Sequence, residues 1–527
     1  MELRREDAER VALAGGEPAR ELLLTLFDRV AEQGEQLEKI QRRLAQNSRN
    51  SSLAPSSDRG QAPKRPPRKR SERKQGGQLG HEGASRRLVE DPDETVEHRP
   101  DRCRKCGREM TGDERTVGKP ARHQVIELPD TVVVTTEHRL VKVCCPGCET
   151  HTRAELPDDI EHGAFGPRLR ATVVMLAAML MSRRATLTLL RDMFGAQISL
   201  GSVENILKQA SDALAAPWQA IQQAVQAADV AHADETSWAR AGQRLWLWSA
   251  LSATAACYRI DETRARSAAR ALLGEFHGLL ITDRYSVYDF IDPERRQVCL
   301  SHLARNFQAF AERDGACGRH GQTIRAAIDD AIRADTQARR DGDTPAWHTG
   351  PLRDIHDRLM SAVEAGERSH TPDLARLCAT VLDIWPTLWN FTDHQGAQAT
   401  NNRAERALRH AVLWRRTSGG TQTDAGERFV ERILSIRETC RLNSQPLHDY
   451  LVDVHTARLT GQPTPIPLTG PATNAATPSA KPSWFASHST PQIGGLIRPH
   501  LGRSPALREG ARHALSLIHI SEPTRPY

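Results

Sequence analysis

The spacing of apolar residues changes character several times along the chain. Leu23, Val30, Leu37 and Leu44 recur every seven positions, Leu26 and Ile40 fill the place three residues later, and Gln33 interrupts that second row. A seven-residue repeat draws a stripe along one face of a helix. Residues 1–47 are therefore predicted as a helix, and its stripe fits either a coiled coil or packing on its own chain. Gly34 and Gln33 weaken the seam. The turn formers Asn47, Ser48, Asn50, Ser51 and Ser52 end the helix. Residues 48–95 then lose all periodicity in a run of Pro, Ser, Gly and basic residues, which reads as a flexible linker. Two β-rich runs follow, Thr131-Val132-Val133-Val134-Thr135-Thr136 and Leu140-Val141-Lys142-Val143.

Helical spacing returns in residues 163–225. Leu169, Val173, Leu176, Ala177 and Leu180 mark a first helix and residues 185–194 a second. A third opens at Val203, Ile206 and Leu207 after Gly195 and Ser199-Leu200-Gly201-Ser202. Short helix, glycine-containing turn and capped helix is the outline of a helix-turn-helix DNA-binding unit. From Asp229 the pattern turns to strands. Val230-Ala231-His232-Ala233-Asp234-Glu235-Thr236 reads as a strand ending at an acid, Leu245 to Leu251 and Ala256 to Ile260 follow, and residues 263–273 are helical. Gly278-Leu279-Leu280-Ile281-Thr282-Asp283 again ends at an acid, and Gln297-Val298-Cys299-Leu300 is a short fifth strand. Three strands, a helix and a strand is the opening order of the RNase H-like fold. There the first and fourth strands lie side by side, so Asp234 and Asp283 would face one cleft. Farther on, Ala404, Ala407, Leu408 and Ala411 form a helix face that Asn401 and Asn402 can cap. Glu405, beside that face, fits either a pair with Arg409 or a place as a metal ligand.

Charge and cysteine content narrow the partners. The net charge of the 527 residues is +6, but residues 61–80 alone hold seven Lys or Arg against one Glu. Lys64, Arg65, Arg68, Lys69 and Arg70 make a block suited to phosphate backbones. The first twenty residues lack a signal-peptide core, and the longest apolar run, residues 173–181, is too short to span a bilayer. The expected location is cytoplasmic, associated with the nucleoid. In a reducing compartment, close cysteine pairs read as metal ligands. Cys103-x2-Cys106 and Cys145-x2-Cys148 could close a four-thiolate structural Zn2+ site over residues 96–155, a zinc-ribbon-like module, with Cys144 an alternative to Cys145. Carboxylates in one cleft suit two Mg2+, which stabilise the attacking and leaving oxygens of a phosphodiester.

Several motifs together resemble one family. They are Asn50-Ser51-Ser52 with Pro55-Ser56-Ser57-Asp58, Gly76-Gly77-Gln78-Leu79-Gly80-His81-Glu82-Gly83, the paired C-x2-C and Gly166-Pro167-Arg168-Leu169-Arg170. Asp234-Glu235-Thr236, Thr282-Asp283-Arg284-Tyr285 and Asn401-Asn402-Arg403-Ala404-Glu405-Arg406-Ala407-Leu408-Arg409 complete the set. The chain resembles transposases of the insertion-sequence-66 family, bacterial DDE enzymes, over residues 37–457. The resemblance implies cut-and-join chemistry on element ends, with Asp234, Asp283 and Glu405 as triad and a helical insertion over residues 302–399. It departs from the family at Leu79, often Pro, and at Ala54, in a stretch often rich in Lys or Pro. Cys299-x2-His302 resembles a C-x2-H signature that follows the second Asp in several DDE families, where packing or positioning of the DNA end suits it better than zinc. Arg415 and Arg416, beside Gly419 and Gly420, suit DNA contacts.

The expected fold class is multidomain α+β or α/β. Its order is N-terminal helix (1–47), basic linker (48–95), zinc module (96–155), helical unit (163–225) and RNase H-like core (226–457). A disordered tail (458–514) follows, and residues 515–527 read as translated sequencing adapter, set aside from structural reasoning. The expected function is Mg2+-dependent cleavage and strand transfer of element DNA by a homo-oligomer, with room for accessory proteins of the element. Its rivals are an RNase H-like nuclease without strand transfer and a non-catalytic DNA-binding regulator. Glu427 and Glu431 compete with Glu405 for the third ligand.

Overall fold

The computed structural model describes residues 17–44, 46–47, 50, 88–128, 133–157, 160, 163–341 and 351–468. The expectations for Lys64, Arg65, Arg68, Lys69 and Arg70, and for residues 469–527, lie outside them.

Helix α1 (Glu17–Leu44) runs unbroken through Gly34. Leu26, Val30, Leu37, Ile40 and Leu44 are exposed, so this stripe is not packed on the described part of the chain. In the cysteine module only Lys142 and Val143, the end of the second β-rich run, enter a strand. Strand β1 (Lys142–Cys144) pairs antiparallel with β2 (His151–Arg153) around the second knuckle, and a bridge between Arg102 and Glu109 encloses the first. Residues 133–140 form no strand. Hairpin pairing follows the tight turns that the knuckles impose, not β-propensity alone.

Four helices follow: α2 (Pro167–Ala178), α3 (Arg183–Phe194), α4 (Leu200–Ala213) and α5 (Ala215–Gln226). Pro167 starts α2, the Ser182 and Ser199 hydroxyls cap α3 and α4, and Gly195, in the left-handed region, closes α3. Then come β3 (Val230–Arg240), β4 (Gln243–Leu251), β5 (Ala256–Asp261), α6 (Arg266–Leu273), β6 (Leu279–Thr282) and β7 (Arg296–Val298). They form one mixed sheet in the order β5-β4-β3-β6-β7. Strand β3 runs past Thr236, where the strand read from the sequence ends. It continues to Arg240 because Glu235 to Arg240 stay paired with β4.

Beyond β7 the chain leaves the sheet through α7 (Leu300–Ala311), α8 (Gly315–Arg340), α9 (Pro351–Glu367) and α10 (Pro372–Asp383). These helices gather around their own apolar core of Phe307, Ile324, Leu359 and Val381, which reaches Leu279 and Ile281 of β6. The chain returns as α11 (Asn402–Ser418), α12 (Asp424–Leu442) and α13 (Leu447–Leu459). The other core is continuous from Val174 of α2 through Trp248 of β4 to Ile433 of α12, so the helical unit and the sheet share one interior.

Helix α12 also covers the free edge of the sheet. Thr439 Oγ1, Ser435 Oγ and a Glu431 carboxylate oxygen accept the amides of Ala256, Tyr258 and Ile260 at 3.1, 2.9 and 2.7 Å. Three acceptors four residues apart on one helix face meet the alternate amides of an edge strand, which would otherwise be left unpaired.

Candidate active site

Strands β3 and β6 are parallel neighbours, with Val230 opposite Leu279, Ala231 opposite Leu280 and His232 opposite Ile281. Continued by two positions, that register sets Asp234 opposite Asp283. Strand β6 ends one residue earlier, and Asp283 turns to accept the Tyr285 amide at 2.9 Å. Burial pushes the Asp234 carboxyl well above its usual range, and the charges of Glu235, Asp283 and Glu405 push the same way. Asp283 and Glu405, the other two carboxylates expected in the cleft, thus both bear on Asp234.

The start of α11 is fastened to β3. The Asn401 side chain donates from Nδ2 to the Ala233 carbonyl at 2.7 Å, its Oδ1 lies 3.1 Å from His232 Nδ1, and its amide donates to Cys299 Sγ at 3.1 Å. Asn401 is fully buried and makes no side-chain cap, contrary to the expected capping role. The Oδ1 that a cap would use faces His232 Nδ1 instead, while Nδ2 is drawn to the backbone carbonyl of a neighbouring strand. Burial holds the His232 imidazole down at about 3, so it stays neutral. Burial pushes the Cys299 thiol up to about 11, which suits a packed hydrogen-bond acceptor better than a zinc thiolate.

Glu405 does not pair with Arg409. Arg305 Nη2 lies 3.3 Å from both of its oxygens, and His302 Nε2 lies 3.5 Å from Oε1. Cys299, His302 and Arg305 repeat every three residues from the start of α7, so one helix face meets both the anchor and the acid of α11. The C-x2-H spacing is a signal visible in the sequence; its extension to Arg305 shows only in the contact with Glu405. Glu427 faces Arg240 at 3.4 Å, and Glu431 is occupied at the sheet edge, so neither competitor is directed at the Asp234 cleft.

Glu235, also absent from the expected site, lies on the opposite face of β3 from Asp234. Arg264 donates to its Oε1 at 2.6 and 2.9 Å and the Tyr288 hydroxyl to its Oε2 at 2.8 Å. Arg415 is turned inward, donating to Ser237 and to Thr236 Oγ1, whereas Arg416 is exposed.

Among the described residues, no three His, Cys, Asp or Glu side chains converge closely enough to hold a metal ion. Within each cysteine knuckle the two thiols are neighbours. The Cys106 amide lowers the pKa of Cys103, with the Cys106 thiol adding to it, and Thr150 lowers that of Cys148, with Cys145 adding to it. The two knuckles do not close into one cluster. No helix among the described residues is long and apolar enough to cross a membrane.

No curated protein matches the chain. Residues 8–87 match a family of unknown function, DUF6444. Residues 162–428, half of the chain, match the Transposase IS66 family, and this stretch holds the whole sheet, Asp234, Asp283 and the helix of Glu405. The protein belongs to the IS66 family of transposases.

Proposed function

We propose that the protein is a DDE transposase with an RNase H-like core, cutting element ends and joining them to target DNA with Asp234, Asp283 and Glu405 as its triad. Membership of a transposase family makes DNA the partner and nucleic-acid processing the class of activity. The observation that carries the finer reading is the register of the adjacent parallel strands β3 and β6, which points Asp234 toward Asp283 just past the end of β6, with the Glu405 helix tied to β3 through Asn401.

Hard oxygen donors crowded until one of them resists ionising suit a divalent cation, and Asp234 is in that position. Two Mg2+ bound there would stabilise the attacking and leaving oxygens of the phosphodiester. The chain's own contribution is placement. The sheet fixes two carboxylates, α11 brings the third, and Glu405 reaches the cleft by turning away from Arg305. In the same reading Cys103, Cys106, Cys145 and Cys148 hold structural Zn2+. The block from Lys64 to Arg70, with Arg416, contacts phosphates, and a homo-oligomer assembles the two element ends near the nucleoid, with or without accessory proteins.

The deciding test is nicking of element-end DNA by purified protein in Mg2+. Wild type should nick and then join the free 3′ end to a target, whereas Asp234→Asn should bind and not cut. Normal cutting by that variant would end the triad assignment, and nicking without joining would make the protein a nuclease.

A further inference from the structure

We propose that a cavity between the Asp283 loop and α10 seats a backbone phosphate of the DNA strand entering the cleft, gripped by Arg284 from the sheet and Arg376 from the helical insertion. The inference rests on the reading that the protein acts on DNA, and it adds a subsite to that reading.

The cavity measures about 620 Å3, within the usual range for a ligand site, and its charged lining is Arg284, Arg296, Arg376, Asp289 and Asp373. Three of these charges are already committed. Arg296 donates to Asp289 at 2.5 Å, to Thr282 Oγ1 at 3.2 Å and to the carbonyls of Asp283 and Tyr285 at 3.1 and 3.0 Å. Asp373 pairs with Arg313 at 2.8 Å. Arg284 and Arg376 remain, and among the described residues neither guanidinium has a hydrogen-bond or ion-pair partner.

Arg284 carries the argument. It is half-buried, immediately follows Asp283 and lines the cavity, and among the described residues no side chain there accepts from its N–H fork. A planar guanidinium in that state matches a phosphate's oxygens. Two guanidiniums without hydrogen-bond partners, one just after β6 and one on α10, the first also facing the charge of Asp283, offset the repulsion from the cleft's carboxylates where the strand must pass. Arg376 extends the same role to α10, giving the helical insertion a direct part in holding DNA. The chemistry asks for a phosphodiester; the open groove between two elements favours a strand over a single anion.

Binding of a fluorescein-labelled single strand to the full chain, by anisotropy across a salt series in EDTA, tests this. Arg284→Gln and Arg376→Gln should each weaken binding several-fold and lower the log–log salt slope by about 0.7. Arg319→Gln, an exposed arginine of α8, should change neither. Single methylphosphonate replacements should identify one position that weakens wild type and leaves Arg284→Gln unaffected. Salt slopes equal to wild type in both cavity variants would overturn the subsite while leaving the transposase reading intact. Failure of wild type to bind DNA at all would overturn both. Inorganic phosphate should compete no better than chloride at equal ionic strength; competition that disappears in Arg284→Gln would overturn the strand in favour of a free anion.

Discussion

Asn401 Nδ2 donates to the carbonyl of Ala233 at 2.7 Å, and this bond joins the helix of Glu405 to the strand of Asp234 across 168 positions of sequence. With its contacts to His232 and Cys299, the Asn401 side chain and amide tie α11 to both β3 and α7. Asn401→Ala would leave the Ala233 carbonyl and the His232 imidazole without these partners. Each buried polar group so orphaned costs about 1–3 kcal/mol. The variant should therefore lose roughly 2–6 kcal/mol in urea unfolding, and its nicking rate should fall further than the folded fraction does. Asn402→Ala, one residue on and only partly buried, should stay within about 0.5 kcal/mol of wild type.

The pair of Arg305 with Glu405 predicts competition with metal. A guanidinium 3.3 Å from both carboxylate oxygens occupies the acceptors that a cation would use. Arg305→Gln should tighten Mn2+ binding, read by calorimetry, and should do so only while Glu405 is present. In a Glu405→Gln background the same change should have no effect. An equal gain in both backgrounds would mean that Arg305 acts by distant repulsion. Glu405→Gln binding Mn2+ as wild type does would remove Glu405 from the ligand set.

Asp234 predicts an inverted pH dependence. Its folded carboxyl is raised well above the ordinary value, by burial first and then by Glu235, Asp283 and Glu405. A group raised on folding adds stability below its unfolded pKa, and that contribution is lost as pH rises through the folded pKa. In EDTA the melting temperature should therefore receive a falling contribution from this site as pH climbs out of the ordinary carboxylate range. Asp234→Asn should flatten that fall and melt higher than wild type at neutral pH. Added Mg2+ should restore wild type and do little for the variant. A metal-free wild type no less stable than Asp234→Asn at neutral pH would contradict the crowding of charge.

Asp234 and Asp283 were legible because apolar strands of the right length precede both, and the element order brings the first and fourth strands together. The extent of β3 was not, because its second half alternates less clearly and is held by pairing with β4. Local propensity favours a cap at Asn401, but His232 on a distant strand competes for the same Oδ1. Arg305 could not be paired with Glu405 from spacing, since 100 residues and a separately packed helical insertion lie between them. The three acceptors of α12 were invisible for the same reason. Glu431 looked like a rival ligand until the edge of β5 gave it a partner.

The cysteine module predicts dependence on metal for its fold. No described residue between 96 and 155 is buried, and Val96, Val117, Val125, Ile126, Leu128 and Val134 all face outward. A segment with no apolar interior cannot offset the entropy of ordering its chain, and small modules of this kind draw folding energy from a bound ion. The hairpin of β1 and β2 and the bridge of Arg102 with Glu109 preform the two knuckles, and local hydrogen bonds already lower the pKa of Cys103 and Cys148 toward thiolate. Protein purified under reducing conditions should release one zinc per chain on thiol modification, read with a colorimetric chelator. Cys103→Ser and Cys145→Ser should each abolish that release. Stripping the metal should open residues 96–155 to protease while the sheet and its helices stay resistant, because their cores are complete without it. Zinc-free protein as resistant as the native form would show that the knuckles are held by something other than four thiolates.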